Sequence, residues 1–468
     1  LIGFDGHVLT STELFRFANV AHHVEGHLRW DWTQMRANLA QGLALAAPYH
    51  PASVGVDTWG VDHALLDAAG NLLFEPIHYR DDARNSAANV ASLTEKVPIR
   101  EIFAATGIQN MSINTIYQLH WYAQNIPETF QKTATVLYMP DLINYWLTGV
   151  RVNEFTDATT SQAYNPQTRA YAFDILARLG VPEAIFPPVV QPGTILGPII
   201  LNHPLKGVPV IAPATHDTGS AVAAVPAANE YYAYLSSGTW SLLGLERRDA
   251  ILSPGAFAAN VTNEGGVAGT YRFLKNIVGL WILQEARRTW AAGGTTYDYA
   301  HLVELAAAAA PFQAFIDPNA PEFLPPGDMP ERIRAYCART NQPAPETIGG
   351  MVRCILESLA MTYRAVLDEL IALSGQRVDV LHIIGGGSNN QLLCQMAANA
   401  TNRAVLAGPS EATSLGNAMV QLIGLGKIES LEAGRAIVRA SVRTMAYQPQ
   451  PAGWEAAFAR FRAVTGVR

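Results

Sequence analysis

Short β-branched runs that stop at small or acidic residues and pass at once into helical stretches recur along this chain, and that alternation restricts its fold more than anything else. Val208–Ala212 (VPVIA) reads as a buried strand and Ser220–Ala224 (SAVAA) as a tightly packed helix entry, with a His and an Asp between them. Val380–Ile384 (VLHII) reads as a strand, Gly385–Ser388 (GGGS) as a turn and Asn390–Met396 (NQLLCQM) as a helix, with a further strand and helix through Gly416. In the first half, Ser53–Asp57 (SVGVD) is a predicted strand, Asp67–Asn71 (DAAGN) a turn, and Pro140–Gly149 (PDLINYWLTG) a helix closed by glycine. Such a pattern folds as helices layered on sheet, the α/β class.

Pro226–Asn229 (PAAN) is a small-residue break, after which Tyr231–Gly244 (YYAYLSSGTWSLLG) has the pattern of two strands around a tight turn. The predicted domain boundary lies there, dividing 1–226 from 227–468. A long helix is expected around Arg353–Ala360, and Ala306–Ala310 is an alanine-rich helical piece. The chain has 468 residues, 49% hydrophobic and 15% charged, so each half is long enough to enclose its own core. A net charge of −7 and a pI near 6.0 argue against a nucleic-acid surface and for small-molecule chemistry. Cys337, Cys354 and Cys394 are widely spaced and odd in number, offering neither a disulfide framework nor a CxxC metal site. No apolar run reaches the roughly eighteen residues of a membrane span, so the expected location is the cytoplasm and the expected partner neither membrane nor nucleic acid.

His216 and Asp217 fall at the carboxyl edge of a predicted strand, where open α/β sheets place ligands. A carboxylate there can accept the proton of an alcohol nucleophile, a contribution of about 10²–10⁴ in rate. It can equally cap the helix that follows, and spacing alone leaves both readings open. Ser236–Thr239 (SSGT) supplies consecutive N–H groups and hydroxyls at a hairpin tip, the material of a phosphate cradle or of an ordinary turn. Gly385–Gly387 lets a ligand approach the backbone, but the last glycine of G-x-G-x-x-G is missing, which disfavours a dinucleotide site; no P-loop pattern occurs. His22, His23 and His27 invite a metal reading, yet His23–His27 (HVEGH) is not H-E-x-x-H and its glycine weakens a shared helical face. Trp59, Trp240 and Trp281 are expected in core or pocket wall, Trp59 being the pocket candidate because it follows a strand end at Asp57–Gly60 (DTWG).

Taken in order, Val54–Asp62 (VGVDTWGVD), Thr215–Val222 (THDTGSAV), Leu235–Ser241 (LSSGTWS), Asn263–Gly266 (NEGG), Lys275–Trp281 (KNIVGLW) and Ile384–Gly387 (IGGG) resemble the FGGY carbohydrate kinases, most of all those that phosphorylate L-rhamnulose. The resemblance implies the two-domain actin-like ATPase (ribonuclease H-like) fold, with a sugar-binding domain over 1–226, a nucleotide-binding domain over 227–468 and the active site in the cleft between them. It implies Asp217 as general base, Gly60, His216, Thr218 and Asn276 in contact with sugar, and Thr239, Gln284 and Gly386 in contact with ATP. The implied reaction is ATP-dependent, Mg²⁺-requiring phosphorylation of the 1-hydroxyl of L-rhamnulose in L-rhamnose catabolism. Another ketose, such as L-fuculose or L-xylulose, is the alternative substrate. A catalytically silent sugar or nucleotide sensor is the alternative of another class, which retention of Asp217 argues against.

Members of this family open with a strand ending in a D-x-G-x-x-S-x-R-like phosphate hairpin, whose Asp helps hold Mg²⁺. Leu1–Leu9 (LIGFDGHVL) instead looks like a hairpin entered halfway. A trimmed sequence is therefore expected, with an unpaired Leu1–Leu9 strand, unassigned Mg²⁺ ligands and poor turnover from these residues alone. The oligomeric state is left open.

Overall fold

Punctuating residues end the elements close to where the sequence places them in the computed structural model, which describes residues 1–467. The helix Met139–Thr148 stops at Gly149, whose φ of 76° is the left-handed region and whose N–H donates to the Tyr145 carbonyl at 2.7 Å. Tyr232–Ser237 and Trp240–Arg247 form the expected antiparallel hairpin, and Asn390 caps the helix Gln391–Thr401 with its side chain. The long helix runs over Ile348–Ser374.

The chain forms two units: Leu1–Ala224 with Glu246–Phe273 and Thr413–Ser441, and Val225–Leu245 with Leu274–Ala412 and Val442–Arg468. The single boundary read from the sequence lies beside the first of these divisions. A break in composition marks one exit of the chain, whereas later returns run through continuous elements such as the strand Trp240–Arg247 and carry no such break.

In the first unit, His63–Leu66 pairs antiparallel with Thr135–Tyr138, and alternate side chains enter two different cores. Leu65, Val136 and Tyr138 pack with Ile116, Tyr117 and Phe155. Leu66, Leu137 and Met139 pack instead with Trp30, Leu142 and Val210. Full burial of each such aliphatic side chain is worth about 1.5–3 kcal/mol. Pro209–Ile211 pairs antiparallel with Ile195–Pro198.

Ser53–Asp57 differs from expectation. In place of a continuous strand, Val54 makes an isolated parallel bridge to Val210, and a second isolated bridge, Thr58 to His216, lies just beyond the segment. The amides of Asn417 and Gln421 crowd Gly55 so closely that a Cβ there would lie 2.5 Å from Gln421 Nε2.

Leu1–Leu9 belongs to a separate two-stranded hairpin. Ile2–Phe4 pairs antiparallel with Leu9–Ser11, around a turn in which the Asp5 carboxylate accepts the N–H groups of His7 and Val8. His23–His27 is the tip of another hairpin, Ala21–Val24 with His27–Trp30; His22 Nε2 lies 3.2 Å from Glu75 and His27 Nδ1 3.2 Å from Asp81.

The second unit is built on a mixed sheet. Tyr232–Ser237 pairs in parallel with Val380–Ile384, which pairs in parallel with Ala404–Ala407, itself antiparallel to Met445–Tyr447. Its glycine turn is sterically fixed. Gly385 takes a φ of 81°, and a Cβ on Gly387 would meet the Ser237 hydroxyl oxygen at 2.0 Å. Among the described residues no helix is long and apolar enough to cross a membrane.

Candidate active site

Two motifs far apart in sequence are joined by main-chain hydrogen bonds in the first unit. Thr58 N–H donates to the Thr215 carbonyl and Asp217 N–H to the Thr58 carbonyl, each at 2.8 Å, bringing DTWG beside THDTG. His216 has extended backbone and occupies the N-cap position without a side-chain cap bond, so Asp217 is the first residue of the helix Asp217–Ala223 rather than its cap. Asp217 Oδ1 accepts Thr218 N–H at 2.5 Å and the Thr218 hydroxyl at 3.1 Å, while the side chain remains about half exposed. A carboxylate in the first helical turn is favoured by the helix dipole.

The loop is held from behind by Glu154, a buried residue that sequence reasoning did not single out. Its Oε2 accepts Thr215 N–H at 3.0 Å and Oγ1–H at 2.7 Å, together with Thr156 N–H at 2.9 Å and Oγ1–H at 2.5 Å. Thr156 Oγ1 in turn accepts His216 N–H at 3.1 Å. Burial pushes the carboxyl of Glu154 above its ordinary range, and burial together with the charges of Asp141, Glu154 and Asp217 pushes that of Asp157 well above it. Asp157 Oδ1 accepts the Thr160 hydroxyl at 3.2 Å, and Thr160 packs so tightly on Gly60 that a Cβ there would lie 3.0 Å from its Oγ1.

His216 Nδ1 lies 3.0 Å from Arg272 Nη2 and 3.4 Å from Glu264 Oε2, and Nε2 lies 3.6 Å from Asp217 Oδ1. Burial alone would raise Glu264, but the Arg272 guanidinium and then His216 outweigh it and hold the carboxyl below its usual range. NEGG contributes to the resemblance, yet the sequence gives no sign that its glutamate and an arginine eight residues on converge on His216.

Asp57 is a further buried carboxylate, with Oδ2 accepting Asn417 Nδ2 at 2.5 Å. Burial pushes it up to about 7, opposed by the Asn417 hydrogen bond and reinforced by the charge of Asp217. It lines a cavity of about 840 Å³ together with Ile2, Phe4, Val54 and Gln421. Trp59 donates its indole N–H to Asp62 at 2.9 Å and lies 4.5 Å, centroid to centroid, from Trp30, so it packs against the core with a partly open face.

Of the residues expected at the sugar, Gly60, His216, Asp217 and Thr218 belong to the first unit and Asn276, on the strand Tyr271–Val278, to the second. The three residues expected at ATP all belong to the second unit. Thr239 Oγ1 donates to Gln284 Oε1 at 3.2 Å, and the Thr239 carbonyl accepts N–H groups of Gly279 and Trp281 where the helix Trp281–Ala292 begins. Parallel pairing of Ser236 with Ile384 sets this hairpin beside the glycine turn. Gly386 is open, with no atom within 4 Å of an added Cβ. The hairpin tip is less free than its sequence promises, because Gly238 N–H is already bonded to the Trp240 carbonyl at 2.8 Å.

Among the described residues no group of three or more His, Cys, Asp or Glu is placed to hold a metal ion. Mg²⁺ carried on nucleotide phosphates needs only one or two carboxylates and keeps several waters.

Comparison with known proteins gives a consistent set of relatives. The model of the FGGY family of carbohydrate kinases, N-terminal domain, matches residues 17–223, and that of the C-terminal domain matches 233–425. A rhamnulokinase of Bacteroides thetaiotaomicron is 42% identical over 461 residues, covering 97% of this chain and 94% of that protein. One of Enterococcus faecalis is 40% identical over 451 residues, covering 95% and 90%. Among solved structures, a ligand-bound xylulose kinase of Lactobacillus acidophilus has a TM-score of 0.78 at 16% identity, covering 98% of this chain and 94% of that one. Plasmodium falciparum glycerol kinase with ADP has a TM-score of 0.77 at 16% identity, covering 96% and 91%. These structural neighbours carry the two-domain actin-like ATPase fold.

The position of Asp57 has a consequence for stability. Its folded pKa is raised from 3.8 to about 7, so folding favours the protonated form; that stabilisation is complete below the unfolded value and is lost as pH rises through about 7. Asp57→Asn cannot ionise. Urea denaturation at about pH 5 and about pH 8 is expected to show the wild type losing stability relative to Asp57→Asn at the higher pH. An equal pH dependence in both proteins would mean that Asp57 is not desolvated as described.

Proposed function

The chain belongs to the FGGY family of carbohydrate kinases, and from that premise we propose that it transfers the γ-phosphoryl group of ATP to the 1-hydroxyl of L-rhamnulose, a step of L-rhamnose catabolism. The observation that carries the chemical reading is the half-exposed Asp217 carboxylate, fixed at the start of a helix by the main-chain bridge to Thr58. An alcohol is a poor nucleophile at neutral pH. Ionised Asp217 accepts the proton of the 1-hydroxyl as its oxygen bonds to the γ-phosphorus, and the bond to the β–γ bridging oxygen breaks to release ADP. Mg²⁺ bound with ATP would supply neutralisation of phosphate charge.

In this reading Gly60, His216, Thr218 and Asn276 contact the sugar. Gly60 leaves the Thr58–Gly60 turn without a side chain of its own, and Trp59 offers an apolar face to the terminal methyl group. Thr239, its partner Gln284 and the open Gly386 receive the nucleotide, which can approach the main chain at Gly386 because nothing occupies the space a side chain would take. The cytoplasm, where ATP is supplied, is the location this reaction requires.

The test is ADP release by the full-length protein across a panel of ketoses. L-Rhamnulose is expected to have the highest kcat/KM. A pocket that rejects an added hydroxyl only by apolar contact discriminates by about 10² at most, so sugars bearing a hydroxyl in place of the methyl should react weakly rather than not at all. Equal kcat/KM across the panel would remove the substrate assignment while leaving the kinase. No sugar-stimulated ADP release from any ketose would favour the silent sensor.

Two substitutions separate the roles. Asp217→Asn keeps the shape of the side chain but takes no proton at neutral pH, and is expected to lower kcat by about 10²–10⁴ with both substrate affinities within a few fold. Unchanged turnover would return Asp217 to a purely structural place at the helix start. Gly386→Val is expected to raise the KM for ATP far more than that for sugar, and the opposite pattern would reverse the assignment of the two sets of residues.

A further inference from the structure

We propose that Arg272 is a positioning residue that holds His216 in the tautomer carrying its proton on Nε2, so that the sugar meets an obligatory donor beside the obligatory acceptor Asp217. This deepens the kinase reading and rests on it. A guanidinium has N–H groups only and accepts nothing. Arg272 directs an Nη2–H at His216 Nδ1 over 3.0 Å. A ring nitrogen that accepts cannot also carry a proton, so the neutral imidazole bears its hydrogen on Nε2.

Glu264 pulls the other way. Its Oε2 is 3.4 Å from the same Nδ1 and would stabilise a proton there, but it is also ion-paired with Arg272 Nη2 at 3.2 Å, and the shorter contact at Nδ1 is the one from Arg272. Arg272 therefore decides between two tautomers that have competing neighbours. It is fully buried, with Nε donating to the Gly265 carbonyl at 2.8 Å, so the guanidinium has a fixed orientation. The charged groups facing His216 are Arg272, Glu264 and Asp217, with Asp57 also sensing its charge.

The chemical result is a pair of opposite polarity. Ionised Asp217 can only accept, and Nε2–H, 3.6 Å from its Oδ1, can only donate. That pair suits a substrate in which a hydroxyl to be deprotonated neighbours an oxygen that accepts, as the 1-hydroxyl and the oxygen on C2 of a ketose do. The alternative tautomer would set a lone pair against the Asp217 carboxylate, and two acceptors would then compete for one proton.

The test reads the tautomer directly. In the ¹⁵N-labelled full chain at neutral pH, without ATP or sugar, the two ring nitrogens of His216 are assigned by difference from His216→Gln. A protonated Nε2 and an unprotonated Nδ1 are expected. A proton on Nδ1, or a doubly protonated ring, would overturn the proposal, and this measurement requires neither turnover nor a folded Arg272 variant. Arg272→Met removes the donor; the proton is expected to move to Nδ1, toward Glu264, and kcat for L-rhamnulose to fall by roughly 10–10² with a smaller change in the KM for ATP. An unmoved proton in Arg272→Met, or a moved proton with kcat intact, would refute the role. Failure of the unaltered protein to release ADP with any ketose would refute the kinase reading instead, whatever the tautomer.

Discussion

Two hydrogen bonds of the main chain, from Thr58 to Thr215 and from Asp217 to Thr58, are the constraint on which the sugar-side arrangement depends. They use backbone groups, so no substitution of a surface side chain removes them. They also fix where the helix Asp217–Ala223 begins. Because Asp217 contributes its own N–H to the bridge, the position of its carboxylate follows from the pairing, and only the side-chain rotamer is left to be set by Thr218. Small residues are required on both sides. Gly219 fits against Ala214 and Thr156, and the helix Ala412–Gly424 approaches so closely that a Cβ on Gly416 would lie 1.8 Å from the Ser220 carbonyl oxygen.

Around this bridge the first unit buries several acids. Asp57, Asp62, Asp141, Glu154 and Asp157 have carboxyls raised by burial, whereas Glu264, paired with Arg272, is held low. A raised carboxyl is cheap to bury when it is neutral and hydrogen-bonded, and costly when it is charged. At Glu154 burial raises the carboxyl while the hydrogen bonds it accepts from Thr156 and Thr215 oppose that rise. One of its oxygens accepts four hydrogen bonds that fix Thr156 and Thr215, and loss of that acceptor would strand two main-chain donors at about 1–3 kcal/mol each. Glu264 is held the other way, since its charge is paired with a guanidinium that cannot be deprotonated.

Much of the arrangement could be read from the chain. The helix stop at Gly149, the hairpin around Gly238 and Thr239, and the strand–glycine–helix passage after Val380 each depend on local preferences, which act over a few residues and are therefore written locally. Where local preference and packing conflict, the reading failed. Ser53–Asp57 has strand composition but contributes a single bridge, from Val54, while the Gly55 carbonyl accepts the Asn417 side-chain amide and the amides of Asn417 and Gln421, from the helix Ala412–Gly424, fill the space beside Gly55. Leu1–Leu9 reads as part of a hairpin without a partner in a larger sheet, and Ile2–Phe4 pairs with Leu9–Ser11 in a separate two-stranded hairpin that turns at Asp5.

By itself the sequence determined the α/β class, the family to which the ordered motifs belong, and the identity of a carboxylate at a strand end, all properties carried by short stretches with fixed spacing. Only the tertiary structure decided what surrounds that carboxylate. Glu154, Glu264, Arg272 and Asn417 reach the loop or its neighbour Asp57 from segments with no periodic or spacing relation to it, so nothing in a linear pattern could have selected them. Burial made the same distinction. An aspartate in sequence is an ordinary acid, and it becomes Asp57, with a carboxyl near neutrality, or the half-exposed Asp217 only when folding sets how much water each one keeps.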